Sequence, residues 1–341
     1  MDFSLDFKSL KPVIAVAQSV STKLTFADYL GAVKVRWGIG RDNYRVAPGL
    51  YKIGNPGNES EVFISANYKL SFDALRKNLA GMNAWILVID TKGVNVWCAA
   101  GKGTFATDNL VKSIKENSLE LVVKHRHIIV PQLAATGVAA HKVKEQSGFA
   151  VTFGPVRACD IRPFIEAGYK ATPEMRKMVF PMRERAKLIP VDFMYRKYQL
   201  LLVLVVIFFF SGLDKTGFLF PKMAETGLFP ITNVVGAYVA GIVLAPLFLS
   251  WVPFRAFALK GAFWAVVTTV VLNLLVQVPL IEGVGLGLIN LSIASFMTMN
   301  FTGSSTYTSL SGVQKEMKVA IPFQIAFAAI GFILFIISKL V

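Results

Sequence analysis

The sequence predicts a Rossmann-like α/β domain followed by an all-α transmembrane domain of five helices. Three observations predict it: short apolar runs alternate with helical patterns in the first half, charge is concentrated there, and long uncharged apolar segments fill the second half. Of 341 residues 54% are hydrophobic, and the mean hydropathy is +0.54, too apolar for an ordinary soluble chain. Residues 1–199 hold 29 Lys/Arg against 17 Asp/Glu, whereas residues 200–341 hold 7 against 4, so the net charge of +15 divides into +12 and +3. A basic half precedes a nearly uncharged one.

Val62 to Asn67, Ala84 to Asp90, His127 to Val130 and Phe149 to Phe153 have strand character, separated by helical patterns such as Ser71 to Ala80 and Thr107 to Asn117. Strands alternating with helices make a largely parallel sheet, whose ligands sit outside the carboxyl ends of its strands. Asn67 with Tyr68, Asp90 to Lys102, Pro131 to Gly137 and Gly154 to Arg157 each follow a predicted strand, so these loops are expected to surround one site. The α/β domain is assigned to 61–170. Residues 1–60, with turn signals at Pro48-Gly49 and Asn55-Pro56-Gly57 and aromatics Trp37, Tyr44 and Tyr51, are expected to be an extension packed on that domain. A basic linker, 171–194, then leads to a membrane domain over 195–341.

Apolar segments recur at Tyr195 to Leu213, Phe229 to Val252, Ala256 to Val276, Gly283 to Met299 and Val319 to Ile337, each near the ~20 residues that cross a bilayer. Arg176, Lys177, Arg183, Arg185, Lys187, Arg196 and Lys197 crowd the approach to the first of them, which places that side in the cytoplasm. Lys260, near a span end, is expected to snorkel toward the interface. Gly283 and Gly287 suit close helix packing, and the Ser/Thr-rich stretch 302–309 falls in the last cytoplasmic connection. Met1 to Leu10 has no secretory pattern. The expectation is a multi-pass protein of the inner, cytoplasmic membrane, with its α/β domain on the cytoplasmic side.

The chemistry concentrates at Asn95-Val96-Trp97-Cys98-Ala99-Ala100-Gly101-Lys102. Asn95 is a favoured N-cap, which puts Cys98 at the third helical position, where backbone N–H groups favour an anionic sulfur. Gly101 and Gly103 stop the helix after little more than one turn. Ala99, Ala100 and Gly101 are expected to leave one side of that turn bare, so that a flat group such as a planar macrocycle approaches Cys98 closely.

This octapeptide resembles the cap-helix signature of the HgcA family, the membrane-anchored corrinoid proteins of microbial mercury methylation, and the resemblance covers the chain. The α/β part is also similar to the corrinoid-binding domain of the corrinoid iron–sulfur protein of acetyl-CoA synthesis, through residues 89–93 (Ile-Asp-Thr-Lys-Gly), 130–133 (Val-Pro-Gln-Leu) and 153–158 (Phe-Gly-Pro-Val-Arg-Ala). The resemblance implies a cobalamin-type corrinoid, base-off and cysteine-on, with the Cys98 thiolate as lower axial ligand of cobalt. It implies corrin contacts from Asn95, Val96, Trp97, Ala99, Gly101 and Lys102; the strand-end loops add Asn67, Tyr68, Gln132, Leu133, Gly137, Gly154 and Pro155. The implied activity is a corrinoid-dependent methyltransferase that passes methyl from cobalt to Hg(II), forming methylmercury. The alternative is a membrane-bound corrinoid methyl carrier serving carbon metabolism, with mercury methylation a side activity.

The corrinoid iron–sulfur protein carries its own four-cysteine cluster, which a chain with only Cys98 and Cys159 cannot build. Electrons are therefore expected from another protein. The resemblance implies a ferredoxin-like partner with two 4Fe–4S clusters, HgcB, and a methyl donor or methyltransferase of the methyl-folate pathway; no nucleic-acid partner is expected. Other motifs are weaker. Gly101-Lys102 lacks the first glycine and the Ser/Thr of a phosphate loop, and Gly38-Ile39-Gly40 lacks the third glycine of a dinucleotide site. His125 and His127 have no neighbouring cysteine and are expected to be structural, as Cys159 is expected to be a small buried hydrophobe.

Overall fold

The computed structural model describes residues 17–301 and 310–341. The Ser/Thr-rich stretch 302–309 and the first residues of the N-terminal extension lie outside the described residues. The chain forms two compact units, one of Met1–Val35 with Ile39–Met178 and one of Arg36–Gly38 with Val179–Val341.

The first unit is built on a six-stranded sheet in the order β1-β2-β4-β3-β5-β6: β1 (Gln18–Ser19), β2 (Gly49–Ile53), β3 (Val62–Ala66), β4 (Ala84–Ile89), β5 (His127–Val130) and β6 (Ala150–Phe153). Every pairing is parallel except that of β2 with β4. The four predicted strands form as expected, within a residue at each end. Strand β3 is buried at every position, with helices on both faces of the sheet, which is why its sequence is an unbroken apolar run ending in Ser-Ala. The N-terminal extension is more than a set of turns. Its residues 49–53 enter the sheet as β2, with Leu50, Tyr51 and Ile53 buried, and 18–19 pair at the edge.

Helices α2 (Lys69–Asn78), α4 (Thr107–Glu116) and α6 (Ala140–Ser147) connect the parallel strands. In α4 the buried residues Leu110, Val111 and Ile114 follow helical spacing and join one core with Ile64, Leu87 and Ile128. Helix α1 (Phe26–Arg36) is tied to α2 by two ion contacts, Asp28 with Lys69 at 2.5 Å and with Arg76 at 2.8 Å, and Asp73 on α2 itself pairs with both cations at 2.7 Å.

The strand order fixes where a ligand can enter. The connection leaving β3 runs to β4 on one side, and that leaving β5 runs to β6 on the other, so the direction of winding reverses between β3 and β5. Those two strands are joined at a single register pair, Phe63 with Ile129, and their carboxyl ends stand apart as a crevice.

In the second unit, five helices among the described residues are long and apolar enough to cross a membrane: Met182–Phe210, Leu228–Leu247, Phe257–Val276, Leu280–Asn300 and Ser311–Leu340. The second is an α-helix over Leu228–Val239 continued through a π-helical turn at Ala240–Leu244, just before Pro246. Glycines set the packing. A Cβ at Gly283 would lie 2.8 Å from Asn273 Nδ2 and one at Gly331 2.7 Å from the Gly285 carbonyl, whereas one at Gly287 would meet Thr269 at an ordinary contact distance of 3.5 Å. The spans are also polar inside: Asn290, fully buried, donates to Asn233 at 3.0 Å and Thr269 at 2.8 Å, and Lys339 pairs with Glu282 at 2.7 Å. Lys260 is buried against the protein. It is 8% exposed and donates to the carbonyls of Leu249 and Val252, because these are the open acceptors where the second span ends.

Candidate functional site

The segment after β4 is shaped by a side chain under it. Asn67, 1% exposed at the end of β3, accepts from the N–H groups of Thr91 at 3.1 Å and Gly93 at 2.9 Å, and donates to Asp90 at 2.9 Å. The Thr91 hydroxyl lies 2.9 Å from the same Asn67 oxygen and 2.6 Å from the Val94 carbonyl. One buried amide thus sets the course of 90–94 and delivers the chain to a helix, α3 (Val96–Gly101). Asn95 is its N-cap: its side-chain oxygen accepts from the Cys98 N–H at 2.9 Å. Cys98 stands at the third helical position, half-buried. Its own N–H is taken by the cap.

The helix has two sides, and the small residues belong to the inner one. Val96, Ala99 and Ala100 are buried at helical i, i+3, i+4 spacing, whereas Trp97, Cys98, Gly101 and Lys102 turn outward. Ala99 and Ala100 therefore do not form the bare face. They let the helix sit down on the 132–138 turn, where a Cβ at Gly137 would collide with the Phe105 carbonyl and lie 3.1 Å from Ala100. The open surface comes from Gly101, since nothing lies within 4 Å of where its Cβ would be. Gly103, at φ +77°, ends the turn.

Beside this helix, in the crevice between β3 and β5, lies an apolar cavity of 330 Å³. It brings together Asn95, Val96, Trp97, Leu133, Gly154 and Pro155 of the residues expected from sequence. Cys98, Gly101 and Lys102 are on the same helix but do not line it. Asn67, Tyr68, Ala99 and Gly137 do not line it: Asn67 lines a separate pocket with Arg45 and Asp90, Tyr68 is 7% exposed and Ala99 is fully buried. Gln132 does not line the cavity, yet its Oε1 is buried without a hydrogen-bond partner among the described residues. Sequence reasoning missed the opposite wall, which is Ser71, Ala74 and Leu75 of α2 with Ile161 and Met178. The spacing 71, 74, 75 on the helix that follows a site-bearing strand was the available signal.

The other candidates separate cleanly. His125 Nε2 is 3.0 Å from the Ser60 carbonyl and His127 Nε2 is 2.6 Å from the Thr152 hydroxyl, so both rings are engaged in the fold. Cys159 is exposed, contrary to the expectation of a buried hydrophobe, because it lies in a single turn at the start of α7 (Ile161–Glu166), outside the core. Partial desolvation and the adjacent Asp160 carboxylate push its thiol pKa up.

Residues 35–164 match the family model described as CO dehydrogenase/acetyl-CoA synthase delta subunit. The match falls on the α/β unit. Subunit gamma of the acetyl-CoA decarbonylase/synthase complex of Archaeoglobus fulgidus is 30% identical over 131 residues, covering 38% of this chain and 27% of the relative. The same subunit of Methanopyrus kandleri is 31% identical over 128 residues (37% and 27%), and that of Methanocaldococcus jannaschii 32% over 122 (35% and 25%). The first unit is similar to acetyl-CoA decarbonylase/synthase subunits. This agrees with the similarity of that unit to the corrinoid iron–sulfur protein of acetyl-CoA synthesis. The chain spans about a quarter of the length of these curated relatives.

Proposed function

We propose that this chain is a membrane-bound corrinoid methyltransferase that forms methylmercury from Hg(II), with Cys98 as the cobalt ligand. The observation that carries the proposal is a partly exposed Cys98 on the outer side of a capped helix whose first residues line an apolar crevice, at the winding reversal of a unit similar to acetyl-CoA decarbonylase/synthase subunits. The residues present fit a corrinoid. Gly101 leaves open space beside Cys98, and the crevice is lined mainly by apolar groups. Trp97, Gly101, Lys102 and the crevice residues Leu133, Gly154 and Pro155 would hold the group, base-off and cysteine-on. When bound, it supplies methyl transfer at cobalt, tuned by the axial ligand.

The chain's own contribution is position. Asn95 and Asn67 fix the start of α3, and the seating of Ala99 and Ala100 fixes its rotation, so that the sulfur is presented outward without a search among conformers. Hg(II) is the acceptor, and its softness suits a methyl group delivered with its bonding electrons. A reductant must restore the starting state. We assign that role to a ferredoxin-like protein with two 4Fe–4S clusters, HgcB, and the methyl supply to the methyl-folate pathway. The relatives' names favour one other reading, a methyl carrier for carbon metabolism that uses the same site.

The test is methylmercury production by the purified full-length protein loaded with methylated cobalamin under anaerobic, reducing conditions. The parent is expected to form methylmercury and Cys98→Thr to lose it; equal rates would refute the thiolate role. Methyl transfer to a carbon-metabolism acceptor with none to Hg(II) would favour the second reading.

A further inference from the structure

Arg185 is the most unusual charge in the second unit. It lies on the short helix α8 (Met182–Ala186) ahead of the first span, is 5% exposed, and has Nε and Nη1 buried without hydrogen-bond partners among the described residues. An uncompensated buried guanidinium is costly. A second buried cation is close enough for its ammonium to feel the field of Arg185: Lys260, whose bonds go to the neutral carbonyls of Leu249 and Val252 at 2.5 and 2.6 Å. The nearby carboxylates do not compensate either cation. Glu184 pairs with Lys187 at 2.6 Å, and Glu316 accepts from the Ala258 N–H at 2.6 Å.

A cavity of 360 Å³ opens at this place, lined by Leu249, Ser250, Phe254, Arg255, Phe257 and Lys260. Arg255 at its wall is exposed and has no ion-pair partner among the described residues. The cavity sits where the second span ends and the third begins. That is the same end of the bundle as the start of the first span, and exposed aromatics, Trp251 at 74% and Phe254 at 43%, mark the level of a membrane interface. Lys260 and Arg255 at a cavity of headgroup depth, with apolar walls on the membrane side and the buried charge of Arg185 near Lys260, match a phosphodiester with acyl chains attached.

We propose that Arg185, Lys260 and Arg255 form a binding site for the phosphate of an anionic phospholipid, which neutralises the buried guanidinium and fastens α8 to the loop between the second and third spans. Lys260 and Arg255 meet the phosphate in the cavity through charge-assisted bonds, and its charge offsets that of the buried Arg185.

The experiment uses the delipidated full-length protein in detergent, titrated with phosphatidylglycerol, phosphatidylcholine or inorganic phosphate, with occupancy read by native mass spectrometry and unfolding temperature. Phosphatidylglycerol is expected to be retained over phosphatidylcholine and to raise the unfolding temperature. Arg185→Gln and Arg255→Gln should each weaken that retention roughly five- to tenfold, with phosphatidylcholine unaffected. If Arg185→Gln is not recovered folded, the exposed Arg255 decides through its own variant. Equal retention of the two lipids, or full retention in the variants, overturns the proposal; saturation by inorganic phosphate without preference for the anionic lipid overturns it in favour of a soluble anion.

Discussion

Asn67 holds the segment that carries Cys98, although its own side chain is sealed from solvent. Its oxygen answers the N–H groups of Thr91 and Gly93, and removing it leaves buried donors unpaired. Asn67→Ala is expected to lower the unfolding free energy by about 2–3 kcal/mol and to weaken cobalamin binding, both measurable by denaturation and titration of the purified protein. Unchanged stability would show that water or another residue replaces the amide. The same scale explains what single residues disclosed in advance. Asn95, Trp97 and Cys98 take the places that an N-cap and a one-turn helix dictate. Ala99 and Ala100 did not, because a small residue suits equally a face open to a ligand and a face pressed against a neighbouring turn, and only the position of the 132–138 turn decides between them.

Among elements, the joint between α1 and α2 responds to acid. Burial alone would raise the Asp28 carboxyl, but hydrogen bonds from Lys69, the Thr25 backbone and Arg76 outweigh it and hold the group well below the usual carboxylate range. A carboxylate depressed in the folded state contributes stability that is fully present above its unfolded pKa of about 4 and is lost as pH falls toward its folded value. The unfolding temperature should therefore drop steeply below about pH 4, and Asp28→Asn should flatten that drop while lowering stability at pH 7. A variant with the parent's acid profile would place the sensitivity elsewhere. The strands β3 to β6 were legible because each is a short apolar run bounded by polar residues. Strand β2 was hidden, since Gly-Leu-Tyr-Lys-Ile lies between two turn signals and owes its place to pairing with β4, a long-range contact that local pattern does not contain. The cavity wall from α2 was hidden for the same reason.

At the scale of the whole molecule, hydropathy alone located five spans, but not the polar contacts inside them, which depend on helix neighbours: Asn233, Thr269 and Asn290 come from three different helices. Basic residues cluster before the first span and recur at Arg255, Lys260, Lys315 and Lys318 on the same side of a five-span arrangement. An alkaline phosphatase fused after Val341 should accordingly be active outside the cytoplasmic membrane, and a fluorescent protein at that point dark; the reverse pattern would invert the topology. The central claim, that a thiolate of a membrane-bound chain ligates cobalt, is tested most directly by the absorption and EPR spectra of the full-length protein loaded with cobalamin, beside those of Cys98→Ala. The account predicts cobalt–sulfur features in the parent that vanish in the variant while the membrane unit stays folded. Identical spectra from the two proteins would contradict it.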